Sequence, residues 1–307
     1  PETLRKLDQV SVSTLKRILK KVGRSDAKLA YRKPPRRQHN SLRNAYPMRR
    51  IPWDTPAPGH FEVDLVVHSG EDAAGEFIHT LQMVDVCTGW SEIEAVYGRS
   101  YRAMQDGFQM ILKRLPFPIL ELHPDNGSEF FNQHLLRFWQ KNIVSLDLSR
   151  SRPYHKNDNR FVEENNHSLV RAYVGHGRLD TLEQLTILRE LYQALWLYHN
   201  FFQPVLRTRE KVFSDTLHYQ RVFDTARPPF DRLCAVMPLP PARLAALQSL
   251  REQTNPVQLR QRIETLISQL WSAHPVSPSM PVNVLHTLRK EMDNPVTFSF
   301  EPKMRVR

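Results

Sequence analysis

The chain is nearly without cysteine. Two residues in 307, Cys87 and Cys234, stand far apart and without metal-ligand spacing. That excludes a disulfide framework and a zinc finger and points to a reducing compartment. No run approaches about 18 consecutive apolar residues, so neither a transmembrane helix nor a membrane partner is expected. No signal-peptide pattern opens the chain, which begins at Pro1 rather than Met, so residues of the natural N-terminus are expected to be missing from it. No internal repeat is present.

What is there is a basic protein of ordinary hydrophobicity. Apolar residues make up 40 %, enough for a sizeable core, and the formal net charge is +11 with a pI near 9.8. That balance favours a polyanionic partner, nucleic acid or an acidic surface. The charge is local: residues 1–50 hold 15 Lys and Arg against 3 Asp and Glu, and the remainder of the chain nets −1.

Within that basic front, residues 3–22 read as two helices. Leu4, Leu7 and Val10 form one apolar stripe. Ser11 or Ser13 supplies a cap, and Leu15, Ile18, Leu19 and Val22 form a second stripe. Lys16, Arg17, Lys20 and Lys21 occupy the opposite face of the second helix, as in the reading half of a helix-turn-helix or as a solvated basic face. Segment 1–31 is therefore expected to be a partial helix-turn-helix. Segment 32–58, with Pro34, Pro35, Arg36, Arg37, Arg49 and Arg50, reads as an extended basic linker able to track phosphates.

From Gly59 the pattern becomes strand-like. His60–Val67, Phe77–Val86 and Trp90–Tyr97 follow one another with short connections, as in an antiparallel meander. Glu62 and Asp64, two apart, share a face of the first strand. A helix over 101–115, a strand over 117–122, a helix from 130 to 140 and a strand over 143–148 come next. Helical pattern resumes near Arg160 and again over 182–202. This order predicts an α/β domain over 59–205, a mixed five-stranded sheet flanked by helices. Segment 206–240 reads as a linker, 241–271 as a small helical hairpin interrupted at Pro256, and 272–307 as a loosely ordered tail.

The chemistry centres on His123-Pro124-Asp125-Asn126-Gly127-Ser128-Glu129-Phe130. Asn and Gly tolerate positive φ, so Asp125 ends a strand just before a turn and a helix. A surface turn would look the same on this stretch alone. Two further carboxylates change the weighing: Asp64 on the first strand, and Glu163 on the helix after the polar loop 151–159. Glu163 shares a face with Asn166 and His167, although acidic residues also suit a helix start. Three carboxylates at one edge of a mixed sheet make a site for hard divalent cations.

These residues carry a resemblance. Phe61-Glu62-Val63-Asp64, the Asp125 motif, and Pro153-Tyr154 followed by Phe161-Val162-Glu163 resemble the catalytic core of retroviral integrases and bacterial insertion-sequence transposases. This is the DDE superfamily with an RNase H-like fold. The intervals are 61 and 38 positions, and Asp85 to Trp90 is similar to the family's second-strand region. The order of basic helices, core and helical C-terminal piece looks more like bacterial transposases, and the absence of a zinc-binding module before the core departs from the retroviral pattern.

The resemblance implies that Asp64, Asp125 and Glu163 bind Mg²⁺, with Mn²⁺ as a substitute, and that Glu164 is the rival for the third place. It implies DNA near Asn126, Lys156 and Asn166, beside the basic residues at the front. The implied activity is cleavage at the ends of a mobile element and transfer of the freed 3′-hydroxyl into target DNA, by a homo-oligomer in the bacterial cytoplasm, at the nucleoid. A metal-dependent nuclease of the same fold and a non-catalytic DNA-binding regulator are the alternatives.

Overall fold

A computed structural model of the chain describes residues 10–25, 41–153, 155–213, 219–273 and 282–289. It divides into two compact units, Pro1–Ser41 and Leu42–Arg307. In the first unit, α1 spans Val12–Ser25. The Ser11 hydroxyl accepts from the Thr14 amide at 3.3 Å, an N-cap bond that satisfies one otherwise orphaned donor. Lys16, Arg17, Lys20 and Lys21 lie on α1, on the side away from Leu15, Ile18, Leu19 and Val22. The helix expected before α1, and Arg36 and Arg37, lie outside the described residues.

In the second unit the sheet contains β1 (His60–Val67), β2 (Ile78–Asp85), β3 (Ser91–Tyr97), β4 (Glu121–Pro124) and β5 (Asp147–Leu148), in the order β3-β2-β1-β4-β5. β1–β2 and β2–β3 are antiparallel, β1–β4 and β4–β5 parallel. This is the expected mixed five-stranded sheet flanked by helices. The antiparallel strands need only short turns, whereas the parallel pairs are separated by crossover helices α2 (Tyr101–Arg114) and α3 (Gln133–Asn142).

β2 and β3 lose only end residues from their expected spans, whereas β4 and β5 depart further. β4 begins only at Glu121, because Pro116 and Pro118 have no amide to give the ladder. The chain is instead held where the Leu120 and Glu121 amides both donate to the Gly59 carbonyl. Gly59, at φ +113°, permits that approach: a Cβ there would stand 2.8 Å from both the Pro118 carbonyl oxygen and the Leu120 side chain. β5 is cut to Asp147–Leu148 because Ser145 turns the backbone at φ 56°. α3 starts at Gln133 rather than 130, where the Asn132 side chain accepts from the Leu135 amide.

The alternation of β1 partitions its side chains. Phe61, Val63 and Leu65 enter the larger core with Phe108, Ile111 and Trp139 of the crossover helices. Glu62 and Asp64 therefore point to the other face. There runs α4: Arg160–Asn165, then wider π turns over Asn166–Arg171 and a last turn at Ala172–Val174, entered through a 3₁₀ turn at Lys156–Asn159. α5 (Leu182–Phe202) follows it, with a Thr181/Gln184 capping box. It builds the second core cluster with β3 and α8 (Pro256–Ser272).

Segment 206–240, expected to be a linker, carries structure. β6 (Thr208–Phe213) and β7 (Tyr219–Phe223) form an antiparallel hairpin, and α6 (Pro229–Val236) follows. Arg207 ties this segment to the core by donating to the Asp85 carbonyl at 2.7 Å. α7 (Pro241–Gln253) and α8 occupy the expected hairpin region. Part of the expected loose tail is also ordered. Residues 282–289, including α9 (Val284–Thr287), dock where Arg289 meets Glu94 at 2.5 Å and its amide donates to Asp106 at 3.1 Å. Among the described residues, no helix is long and apolar enough to cross a membrane.

Candidate active site

The register of the central parallel pair places the first two carboxylates. Val63 lies opposite Pro124, so the next residues on the adjacent chains are Asp64 and Asp125, about one strand spacing apart. Both are half-buried. Asp64 accepts at Oδ1 from the Leu65 amide (2.8 Å) and at Oδ2 from Asn166 Nδ2 (2.6 Å). Asp125 Oδ1 accepts from the Gly127 amide at 2.8 Å, the Asx turn that the Asp-Asn-Gly sequence favours. Its Oδ2 has no protein partner among the described residues.

Both carboxyls are harder to ionise than usual. Burial raises Asp125 to about 6, and the charges of Asp64 and Glu129 add to the shift. Asp64 is raised by burial and by Glu129, against hydrogen bonds from Leu65 and Asn166. Glu129 belongs to the Asp125 motif, but the sequence alone assigns it no role of its own. Gly127 lets it fold back: a Cβ at 127 would lie 2.5 Å from the Glu129 carboxylate and 2.8 Å from Asp125 Oδ1. The sequence signal for this was Gly two residues before Glu within the turn motif.

Glu163 stands exposed on α4. Three positions further on, and thus on the same side of the helix, Asn166 makes the bond to Asp64. Glu164, also exposed, is one position further round the helix, and its charge acts on Arg207. Among the described residues, no three His, Cys, Asp or Glu side chains close into a ready metal cage. The candidate site is Asp64 and Asp125 on adjacent chains, with Glu163 on the neighbouring helix.

The remaining residues singled out in the sequence are placed as follows. Asn126 is committed inside the protein: its Nδ2 donates to the Ser151 carbonyl (2.8 Å), and its Oδ1 accepts from Arg150 (2.9 Å). Arg43 reaches its carbonyl at 3.3 Å. Asn166 is engaged with Asp64. Lys156 opens the 3₁₀ turn before α4. Sequence reasoning did not single out Arg150, although it is 5 % exposed and anchors Asn126 and the Tyr46 carbonyl together.

No family model matches the chain. An uncharacterized protein, y4rM, of Sinorhizobium fredii (strain NBRC 101917 / NGR234) is 35 % identical over 210 residues, or 67 % of this chain; the chain spans 58 % of that relative's length. Among solved structures, the chain is similar to the catalytic core domain of BIV integrase at a TM-score of 0.36 and 15 % identity, covering 48 % of this chain and 86 % of that one. It is also similar to a simian T-cell lymphotropic virus intasome in complex with PP2A regulatory subunit B56 gamma, at a TM-score of 0.38 and 12 % identity, covering 56 % of this chain and 55 % of that one.

Beside the carboxylates, the sheet and α4 are joined by a buried acid. Glu62 is fully buried, and its Oε2 accepts from the Phe161 amide (2.7 Å) and the Val162 amide (3.0 Å). Burial raises Glu62 to about 7, against the pull of those two amides and of Arg160 and Arg207.

Proposed function

We propose that this chain is a DNA strand transferase of the DDE type, a transposase or integrase, with Asp64, Asp125 and Glu163 as its catalytic carboxylates. The observation that carries this reading is the register of β1 and β4, the central parallel pair, which brings Asp64 next to Asp125. The tie from Asn166 to Asp64 then brings the helix of Glu163 against the same strand.

The donor set suits Mg²⁺ or Mn²⁺. Hard cations take oxygen ligands, and Mg²⁺ uses few from protein when phosphate oxygens and water complete its shell. Burial makes both carboxyls reluctant to ionise, and nearby carboxylates add to it, so a bound cation would favour their charged forms. Asp64 and Asp125 would hold it, with Glu163 completing the set. When bound, such ions activate the attacking oxygen and offset charge on the leaving one in phosphoryl transfer.

The protein's own part is positioning. The Gly127 amide fixes one oxygen of Asp125, Asn166 fixes one of Asp64, and the free lone pairs are left for the site. The basic face of α1 supplies attraction to DNA phosphates, with Lys16, Arg17, Lys20 and Lys21 as contacts; Arg36, Arg37 and Lys156 are the further candidates. A homo-oligomer would bring two DNA ends together.

The test uses the full chain with duplexes carrying the DNA that flanks its gene, with Mg²⁺ or EDTA. Mg²⁺-dependent nicking that exposes a 3′-hydroxyl, followed by joined products, is expected. Cleavage without joining would make it a nuclease. Binding without any cleavage would make it a DNA-binding regulator.

A further inference from the structure

Strand β1 and helix α4 are joined at two points, and the second is not accounted for by the carboxylate pair. Asn166 meets Asp64 at the middle of α4. One turn earlier, Glu62 Oε2 takes both the Phe161 and the Val162 amides, which flank the approach to Glu163. These are donors that the first turn of a helix leaves without intrahelical partners, and α4 has no side-chain cap of its own at Asn159. The cap comes from 99 positions away in sequence, from the strand that holds Asp64.

A fully buried carboxylate needs compensation. Glu62 Oε1 has no hydrogen-bond partner among the described residues. The positive charge in its field comes from Arg160 and from Arg207 of the segment that leads into the β6–β7 hairpin. Arg207 also stacks on the Phe161 ring, its guanidinium carbon 4.5 Å from the centroid, and donates to the Asp85 carbonyl. The C-terminal segment thus reaches the first turn of α4 from outside the sheet.

The geometry points to Glu62 as a positioning residue that sets where Glu163 stands relative to Asp64, with Arg207 clamping the same helical turn from the C-terminal segment. This rests on the assignment of Glu163 proposed above for the role of the helix, but the anchor itself does not depend on it.

The test uses the full chain and two readouts. In hydrogen–deuterium exchange, Glu62→Ala is expected to speed exchange of the Phe161 and Val162 amides at least tenfold while β2 and β3 stay protected. Glu62→Gln keeps an accepting oxygen and should fall between, and it carries the same test if Glu62→Ala does not fold. Arg207→Ala is expected to speed the same two amides by a smaller factor. In Mn²⁺ titration, Glu62→Gln is expected to weaken binding severalfold in the native background and not further in a Glu163→Gln background, because Glu62 acts through the position of Glu163. A charge acting directly on the cation would weaken both backgrounds equally. Unchanged exchange at 161 and 162 in the Glu62 variants, or equal weakening in both backgrounds, overturns the inference; unchanged exchange in Arg207→Ala overturns the part given to the C-terminal segment. Failure of the unsubstituted chain to bind Mn²⁺ counts against the proposed function, and the exchange result still decides the anchor.

Discussion

Asn166 donates its side-chain amide to the Asp64 carboxylate at 2.6 Å, across 102 positions of chain. The bond orients a carboxyl that burial and Glu129 make reluctant to ionise. Asn166→Ala is expected to weaken Mn²⁺ binding about tenfold, the order of one lost charge-assisted bond. Metal-free DNA affinity should not change. A fall in that affinity as large as the fall in metal binding would instead make Asn166 a direct DNA contact.

Asp125→Asn is expected to abolish strand transfer and yet stabilise the fold at neutral pH. The folded-state carboxyl titrates near 6, above its ordinary value of 3.8. Its ionised form is therefore disfavoured by folding: the cost is complete above about pH 6 and gone below about pH 3.8. Removing the charge should raise Tm at pH 7.5 by about 2–4 °C, corresponding to on the order of 1 kcal/mol in a chain of this size. The gain should vanish near pH 3.5. Thermal denaturation of both proteins across that range checks it.

Glu121 should behave in the opposite sense. Arg49, His60 and Ser149 hydrogen-bond its buried carboxylate and hold its pKa at about 2, although burial alone would raise it. A depressed folded-state value contributes stability above the ordinary 4.5, lost as pH falls from there toward 2. Glu121→Gln is expected to cost roughly 1–3 kcal/mol at pH 7, as for a broken buried charged bond. The difference should close by pH 2. Urea titrations at several pH values would show it, and a pH-independent difference would count against it.

Gly127→Ala tests the fold-back of Glu129. The new methyl would press on the Glu129 carboxylate and on Asp125 Oδ1, both movable ends of side chains. The fold should survive with little loss, while Mn²⁺ affinity and cleavage fall about tenfold through displacement of Asp125. Adding Glu129→Ala makes room, and recovery of Mn²⁺ binding in the double variant is the expected result.

Glu163→Gln should abolish strand transfer, whereas Glu164→Gln, one position round the helix from the Asn166 side, should leave most of it. End binding should persist in both, read by gel shift without metal. Activity retained by Glu163→Gln would hand the role to Glu164.

Much of the architecture was legible in residue order. The alternation of His60–Val67 marked β1 to the residue, and the apolar spacing of 182–202 marked α5 to the residue. The Asn-Gly turn placed Asp125 at the end of a strand, one residue from the observed end at Pro124. The errors lie where long-range pairing overrides local pattern. Ile143–Leu148 has the composition of a strand, but only two residues find a partner. Segment 206–240 lacks strong periodicity, yet its strands pair with each other and Arg207 finds Asp85. At the site, Glu62 and Asp64 on one face followed from the two-residue period. What that face would meet did not.

The sequence by itself determined the first three strands, the turn at Asp125 and the basic front, because period, φ preference and charge are properties of neighbouring residues. Only the tertiary structure decided that Asp64 lies beside Asp125, that Glu129 folds back over Gly127 and that Glu62 caps the helix of Glu163. Those depend on strand register and on burial, which no short stretch of chain encodes.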